Sequence, residues 1–208
     1  GIKSAAVLWA LGWNLLWVRL ILDMYGDRRL AFWSVAALNL SFVYEAFGLA
    51  PTPASPLIFA WTGAIWALWR LSQTGDGRWW FATGGFIGLA MLGKYSAVLL
   101  GLVVLLYLAT SPRQRHWFVK PQPYLAVGVA VAVFAPVLIW NAQHDWVSFR
   151  HVAGQAGVAK GPAIDILGPL NWFAGQAAVI GPVWFVAMLA AVWECLRGAR
   201  LRREADAQ

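Results

Sequence analysis

Charge and sulfur are both scarce in this sequence. Its one cysteine, Cys195, excludes an intramolecular disulfide and any cysteine-based zinc cluster. Charged residues fill 12% of the 208 positions, against about 25% in soluble domains. Only nine of them are acidic. With 61% of the chain apolar, an ordinary cytosolic enzyme is excluded, since such proteins hold about 45–50%. Disorder is excluded on the same ground, because it needs low hydrophobicity. Segments of ten residues alternating apolar and polar are missing too, which argues against a membrane barrel.

What is present is a series of apolar runs. A helix needs about 20 mostly apolar residues to cross the hydrocarbon core. Seven segments qualify or come close: residues 4–22, 30–49, 57–71, 79–93, 96–110, 124–140 and 170–196. Turn-forming stretches such as Pro51-Thr52-Pro53, Thr74-Gly75-Asp76-Gly77 and Ser111-Pro112-Arg113 separate them. The expected fold is therefore an all-α integral membrane protein of about seven transmembrane helices in one domain. The third to fifth spans are short and belong within the bundle or beside a thinned, wet cavity. Pro136 and Pro182 are expected to kink their helices.

The net charge of +7 reads as topology. With the loop after the first span placed inside, the inner side collects Arg19, Arg28, Arg29, Arg70, Arg78, Arg113, Arg115, Lys120, Arg197, Arg200, Arg202 and Arg203. The outer side holds Lys3, Lys94, Arg150 and Lys160. Twelve against four is a positive-inside bias, so the N-terminus is expected outside and the C-terminus inside. No nucleic-acid partner is implied. Gly1 stands where an initiating Met would, with no basic segment before a cleavage site, so no signal peptide is expected. A chain that begins outside with seven spans reads as one whose first helix is missing.

Polar groups inside or beside spans are the candidates for chemistry, because ionisable side chains in hydrocarbon are costly unless paired or wetted. Glu194 can pair with Arg197 or Arg200. Glu45 has no cation within a helical turn and is a candidate for lining an outer cavity. Lys94 follows a run with glycines four apart, Gly84 and Gly88, which permit close helix packing. Its ammonium, beside the Tyr95 hydroxyl, suits a phosphate oxygen; the bland alternative is a lysine snorkelling to lipid headgroups. The outer segment 141–168 opens with Asn141, His144, Asp145, Trp146, Ser148, Phe149, Arg150 and His151. These groups can accept a proton or grip a phosphate, or can simply form an amphipathic interfacial helix. Metal binding by His144 and His151 has no specific spacing behind it. Trp9, Trp13 and Trp17 recur every four residues and are expected to form a lipid- or partner-facing stripe.

Several motifs in order carry a resemblance: Gly26-Asp27-Arg28-Arg29, Thr52-Pro53-Ala54-Ser55-Pro56-Leu57, Gly77-Arg78-Trp79-Trp80, Gly88 through Leu99 with Lys94-Tyr95, and Pro136 through Asn141 followed by His144-Asp145-Trp146 and Ser148-Phe149. Over about residues 10–155 the chain resembles bacterial membrane glycosyltransferases of the GT-C class, family 39, relatives of protein O-mannosyltransferases and of the aminoarabinose transferase of lipid A. The resemblance implies a multi-pass protein of the bacterial inner membrane with a GT-C-like bundle and a periplasmic N-terminus. It implies transfer of a sugar from a polyprenyl-phosphate donor to a lipid, lipopolysaccharide or protein acceptor on the outer face.

Lys94-Tyr95 matches the family's Lys-Tyr turn, whose implied role is contact with the donor phosphate; Arg150 joins Lys94 and Tyr95 as an expected substrate-binding residue. The family's leading acid sits in a first outer loop that this chain does not contain, and its Thr-Pro-Asp motif reads Thr52-Pro53-Ala54 here. Glu45, Asp145 and His144 remain as catalytic candidates. No cofactor is indicated, although a divalent metal is compatible with the family chemistry. Two readings follow. One is the core of a glycosyltransferase. The other is a catalytically silent, glycosyltransferase-derived subunit of a larger membrane complex, using the Trp9/Trp13/Trp17 face for its protein partners.

Overall fold

The small residues of this chain lie inside and many of its large apolar ones lie outside. In a computed structural model that describes residues 2–40, 52–155 and 167–205, the described residues contain helices and turns but no strand. The buried positions include Ala60, Ala64 and Ala67, then Gly84, Gly88 and Ala90, then Ala126 and Ala130. Exposed positions include Leu8, Leu11, Leu15, Leu99, Leu102, Leu105, Leu106, Leu125 and Val131. Burial of apolar surface from water yields roughly 25 cal/mol per Å², so this arrangement would forfeit much of its stabilisation in water. In a bilayer, lipid covers the large side chains and small residues let the backbones approach.

The helices are α1 (Ile2–Tyr25), α2 (Arg28–Asn39), α3 (Ala54–Thr74), α4 (Trp79–Gly93), α5 (Val98–Thr110), α6 (Gln122–Gln143), α7 (Val147–Gln155), α8 (Gly168–Ile180) and α9 (Pro182–Ala205). Single 3-10 turns, Tyr95–Ala97 and Arg115–Val119, flank α5. The helices α2, α1, α3, α4 and α6 pack successively in that order, α5 leans on α4, and α8 packs with α9. Among the described residues two apolar stretches, Ser4–Tyr25 and Gln122–Gln143, have the length and composition to cross a membrane. At 22 residues each and about 1.5 Å per residue, they reach roughly 33 Å.

Local chemistry sets the boundaries. Asp27 caps α2, its carboxylate accepting from the Arg29 and Leu30 amides at 2.7 and 3.2 Å. Gly75, at φ +64°, ends α3 in the left-handed conformation, its amide donating to Leu71 O at 2.9 Å. In the connection that follows, the Arg78 guanidinium holds the Asp76 carboxyl below the ordinary carboxylate range, across a 2.8 Å ion pair.

Several expectations are modified. The first span continues to Tyr25, the third starts at Ala54, and the fifth is a 3-10 turn followed by a helix. The second begins at Arg28, and its later part, Glu45 included, lies outside the described residues. The sixth runs on to Gln143, so Asn141 is the last-turn residue of a helix and not the start of a loop. Pro136 lies within that helix. The segment 170–196 is two helices, because Gly181 takes φ +93° just before Pro182, whose ring supplies no amide hydrogen.

The tryptophan stripe is also corrected. Trp13 is buried, Trp9 is half-buried against Phe59 at 5.3 Å, and Trp17 donates its indole N–H to Ser34 Oγ at 3.1 Å. That face joins α1 to α2 and α3, so it is not an open partner surface. Asn14 and Asn39 add an amide pair between α1 and α2, at 2.7 Å in one direction and 3.4 Å in the other.

Candidate functional site

Three separate sequence motifs meet at one end of the bundle. The first is the start of α3, where Pro53 leads into Ala54. The second is the end of α4, where Gly93 gives way to Lys94. Here a missing side chain matters. A Cβ on Gly93 would lie 2.9 Å from the Pro53 carbonyl oxygen and 3.2 Å from the Leu57 nitrogen. The two helix ends touch through backbone because position 93 has no methyl group.

Lys94 then breaks out of helical geometry, at φ −155° and ψ 130°. Its carbonyl accepts from the Ala97 amide at 3.0 Å and so starts the 3-10 turn. The Lys94 side chain is exposed and makes no ion pair or hydrogen bond among the described residues. Tyr95 turns inward. Its ring stacks on Phe149 of α7 at 4.9 Å and 14°, and stands edge-on to Phe134 of α6 at 5.8 Å. Those two contacts bring in the third motif, the corner between α6 and α7.

That corner holds the other expected site residues. The His144 ring stacks on Trp140 at 4.2 Å, and its Nδ1 lies 2.7 Å from Trp140 O. A carbonyl only accepts, so Nδ1 carries the proton and Nε2 is the nitrogen left to accept. His144 is thus engaged by its own helix, and the structure records no hydrogen bond between it and the Asp145 carboxylate. Asp145 and Trp146 both have positive φ, 53° and 58°. Arg150 donates to the Asp145 carbonyl oxygen, while the Asp145 carboxylate is exposed. His151 pairs with Gln155 at 3.1 Å. Among the described residues no three His, Cys, Asp or Glu side chains gather as metal ligands.

An apolar groove of about 450 Å³ runs between α4, α5 and α6 toward this end. Trp80 and Leu108 line one extremity, and Met91, Val98 and Phe134 the other. Phe134 is the ring that Tyr95 touches, so this end of the groove adjoins Tyr95, although neither Lys94 nor Tyr95 lines it. Gly84 forms part of its floor, and a Cβ on Gly84 or Gly88 would collide with the α6 backbone at Ala126 or Ala130. The close packing expected from the glycine spacing is therefore found, with α6 as the partner helix.

Phe134 is the site residue that sequence reasoning missed, and Asn141 was named there without its burial. Asn141 is fully buried, an unusual place for a carboxamide at the end of an apolar helix. That rarity was the available signal. Phe134 gave none, being one apolar residue in an apolar run.

The opposite end of the bundle carries a polar cluster. Asp23 pairs with Arg19 at 3.3 Å and Arg70 at 3.8 Å, and accepts from the Trp66 indole at 2.9 Å. Arg70 lies over the Trp79 ring, 5.4 Å from its centre. This network ties α1 to α3 and α4.

The profile of the dolichyl-phosphate-mannose-protein mannosyltransferase family matches residues 2–140. The lipid A galacturonosyltransferase RgtD of Rhizobium johnstonii is 34% identical over 151 residues, which cover 71% of this chain and 31% of that protein. The matched region is thus about a third of that relative's length. No solved structure matches. The chain, a glycosyltransferase-like membrane protein, belongs to the dolichyl-phosphate-mannose-protein mannosyltransferase family.

Proposed function

We propose that this chain forms the donor-binding part of a membrane glycosyltransferase that uses a polyprenyl-phosphate-linked sugar. The observation that carries the reading is the exposed, unpaired Lys94 in the connection between Met91 and Val98, both of which line the α4–α5–α6 groove. An isoprenoid chain fits an apolar groove that opens to lipid, and the phosphate at its head then meets a cation. In the transfer, an acceptor hydroxyl oxygen bonds to the anomeric carbon and the bond from that carbon to the phosphate oxygen breaks. The lipid phosphate leaves with the electron pair and the added negative charge. Lys94 stabilises that charge, and a base takes the hydroxyl proton. Asp145 is the described carboxylate proposed for that last role, with His144 Nε2 as the other acceptor and Glu45, outside the described residues, as the remaining carboxylate candidate; Arg150 and Tyr95 shape the headgroup site.

In the same reading the Lys94 end faces the periplasm across a bacterial inner membrane, in a single domain of seven spans with the C-terminus inside. The acceptor is a lipid, lipopolysaccharide or protein. The named relative acts on lipid A, which favours a lipid acceptor. Ala54 supports a second reading, the catalytically silent subunit. By the resemblance it stands where the family's Thr-Pro-Asp motif has its acid, at the start of α3, next to Pro53, whose carbonyl lies against Gly93.

The test is binding of a polyprenyl phosphate to the chain in lipid nanodiscs. A charge-assisted hydrogen bond is worth about 1.5–3 kcal/mol, so Lys94→Ala is expected to weaken binding roughly 10- to 100-fold. Equal binding of the uncharged polyprenol by the unsubstituted chain would refute the role of Lys94. Measurable sugar transfer by this chain would refute the silent-subunit reading.

A further inference from the structure

We infer that Asn141 is a positioning residue, a buried clamp that holds the α6–α7 corner in the conformation on which the Lys94-Tyr95 turn rests. Four hydrogen bonds meet on it. Its side-chain amide donates to Val137 O at 2.9 Å, and its side-chain oxygen accepts from the Ser148 amide at 3.2 Å. Its backbone carbonyl accepts from the amides of both His144 and Trp146, at 3.1 and 2.9 Å. The residue is wholly shielded from solvent.

Between these anchors the chain makes a reversal that ordinary residues resist. Asp145 and Trp146 are both left-handed, at φ 53° and 58°. That region is unfavourable for side chains with a Cβ, and bulky residues enter it only where their surroundings hold them there. The Asn141 bonds span the reversal on both sides, and Arg150 adds a bond to the Asp145 carbonyl. The product is the placement of α7, whose Phe149 ring receives the face of Tyr95 at 4.9 Å. A loosened corner would release that stack and, through it, the 3-10 turn that begins at Lys94. The part of the inference that concerns donor affinity rests on the function proposed above; the clamp itself does not.

Hydrogen exchange of the full chain in nanodiscs, with and without a polyprenyl phosphate, tests both parts. In Asn141→Ala, the amides of Trp146, Ser148 and Ala97 are expected to exchange at least tenfold faster, while those of residues 84–88 keep their rates. Affinity for the polyprenyl phosphate is expected to fall about tenfold. Adding Asp145→Gly, which accepts positive φ without strain, should bring affinity back to within about threefold. Asn141→Asp keeps the volume and the acceptor oxygen for Ser148, so it should protect that amide better than alanine does. It also serves if the alanine variant does not fold.

Unchanged exchange at Trp146, Ser148 or Ala97 overturns the clamp. A uniform rise through residues 84–88 overturns it as well, since that marks a general packing defect, and so does a glycine double variant no tighter than Asn141→Ala. If the unsubstituted chain binds no polyprenyl phosphate, the donor reading fails, and the ligand-free exchange still decides the clamp.

Discussion

Gly93 and Asp23 show how single residues secure the two ends of this bundle. At Gly93 a methyl group would sit 2.9 Å from the Pro53 carbonyl, and backbone on both sides leaves little room to yield. Gly93→Ala is expected to cost about 1–3 kcal/mol, the usual range for overpacking, and to displace the Lys94 turn. Thermal unfolding in detergent measures the first effect and polyprenyl phosphate binding the second. At Asp23 one carboxylate serves two guanidinium groups and an indole. Asp23→Ala removes every acceptor and is expected to lower stability by about 2 kcal/mol. Asp23→Asn keeps an oxygen for Trp66 and should lose clearly less; equal losses would show that the indole bond contributes nothing. Lys94 was legible in the sequence because a lone cation ending an apolar run stands out. Asp23 was not, since it reads as a loop residue until α3 brings Arg70 and Trp66 to it. Asn141 was quoted within a motif, but its role depends on hydrogen bonds to Val137 and Ser148 that no spacing rule announces.

Among the elements, α4 is the one on which the groove and the site both depend. Its glycines Gly84 and Gly88 press against α6, whereas nothing lies within 4 Å of a Cβ placed on Gly85. Neighbouring positions should therefore respond in opposite ways. Gly84→Leu forces α4 from α6 and is expected to cost upwards of about 3 kcal/mol, with collapse of polyprenyl phosphate binding. Gly85→Ala is expected to be neutral or stabilising by up to about 1 kcal/mol, because alanine restricts the unfolded chain at a helical position. Unfolding of both variants in one detergent gives the comparison; similar losses at 84 and 85 would contradict the packing described. Hydrophobic run length located the apolar helices well, and 79–93 matched to the residue. It failed where backbone conformation intervened, as at Gly181, where the dipeptide Gly-Pro was read as a kink but φ +93° makes it a break. The tryptophan stripe failed for another reason. Periodicity shows that Trp9, Trp13 and Trp17 share a face, but not whether α2 and α3 cover it.

For the whole molecule, the open physical question is which end faces which compartment, because the proposed chemistry needs Lys94 outside. The distribution of charge supports that orientation. Lys94 and Arg150 stand at one end of the bundle, whereas Arg19, Arg70 and Arg78 gather near the other, with Arg113 and Arg115 in the connection after α5. Lys and Arg in short loops prefer the cytoplasmic side. The lone Cys195 is exposed on α9, so replacing it with alanine gives a cysteine-free chain for labelling. In that background Ser96→Cys and Arg113→Cys place single thiols at exposed positions on either side of α5. A membrane-impermeant maleimide applied to intact cells is expected to label position 96 and spare position 113, with position 113 labelled only after lysis. The opposite pattern would put the Lys94 end in the cytoplasm and remove the site from the outer-face reaction. Labelling of both positions in intact cells would mean that α5, at 13 residues and roughly 20 Å, does not separate two compartments. The helix would then be a peripheral element leaning on α4, and the α4–α5–α6 groove would have to be filled from one side of the membrane alone.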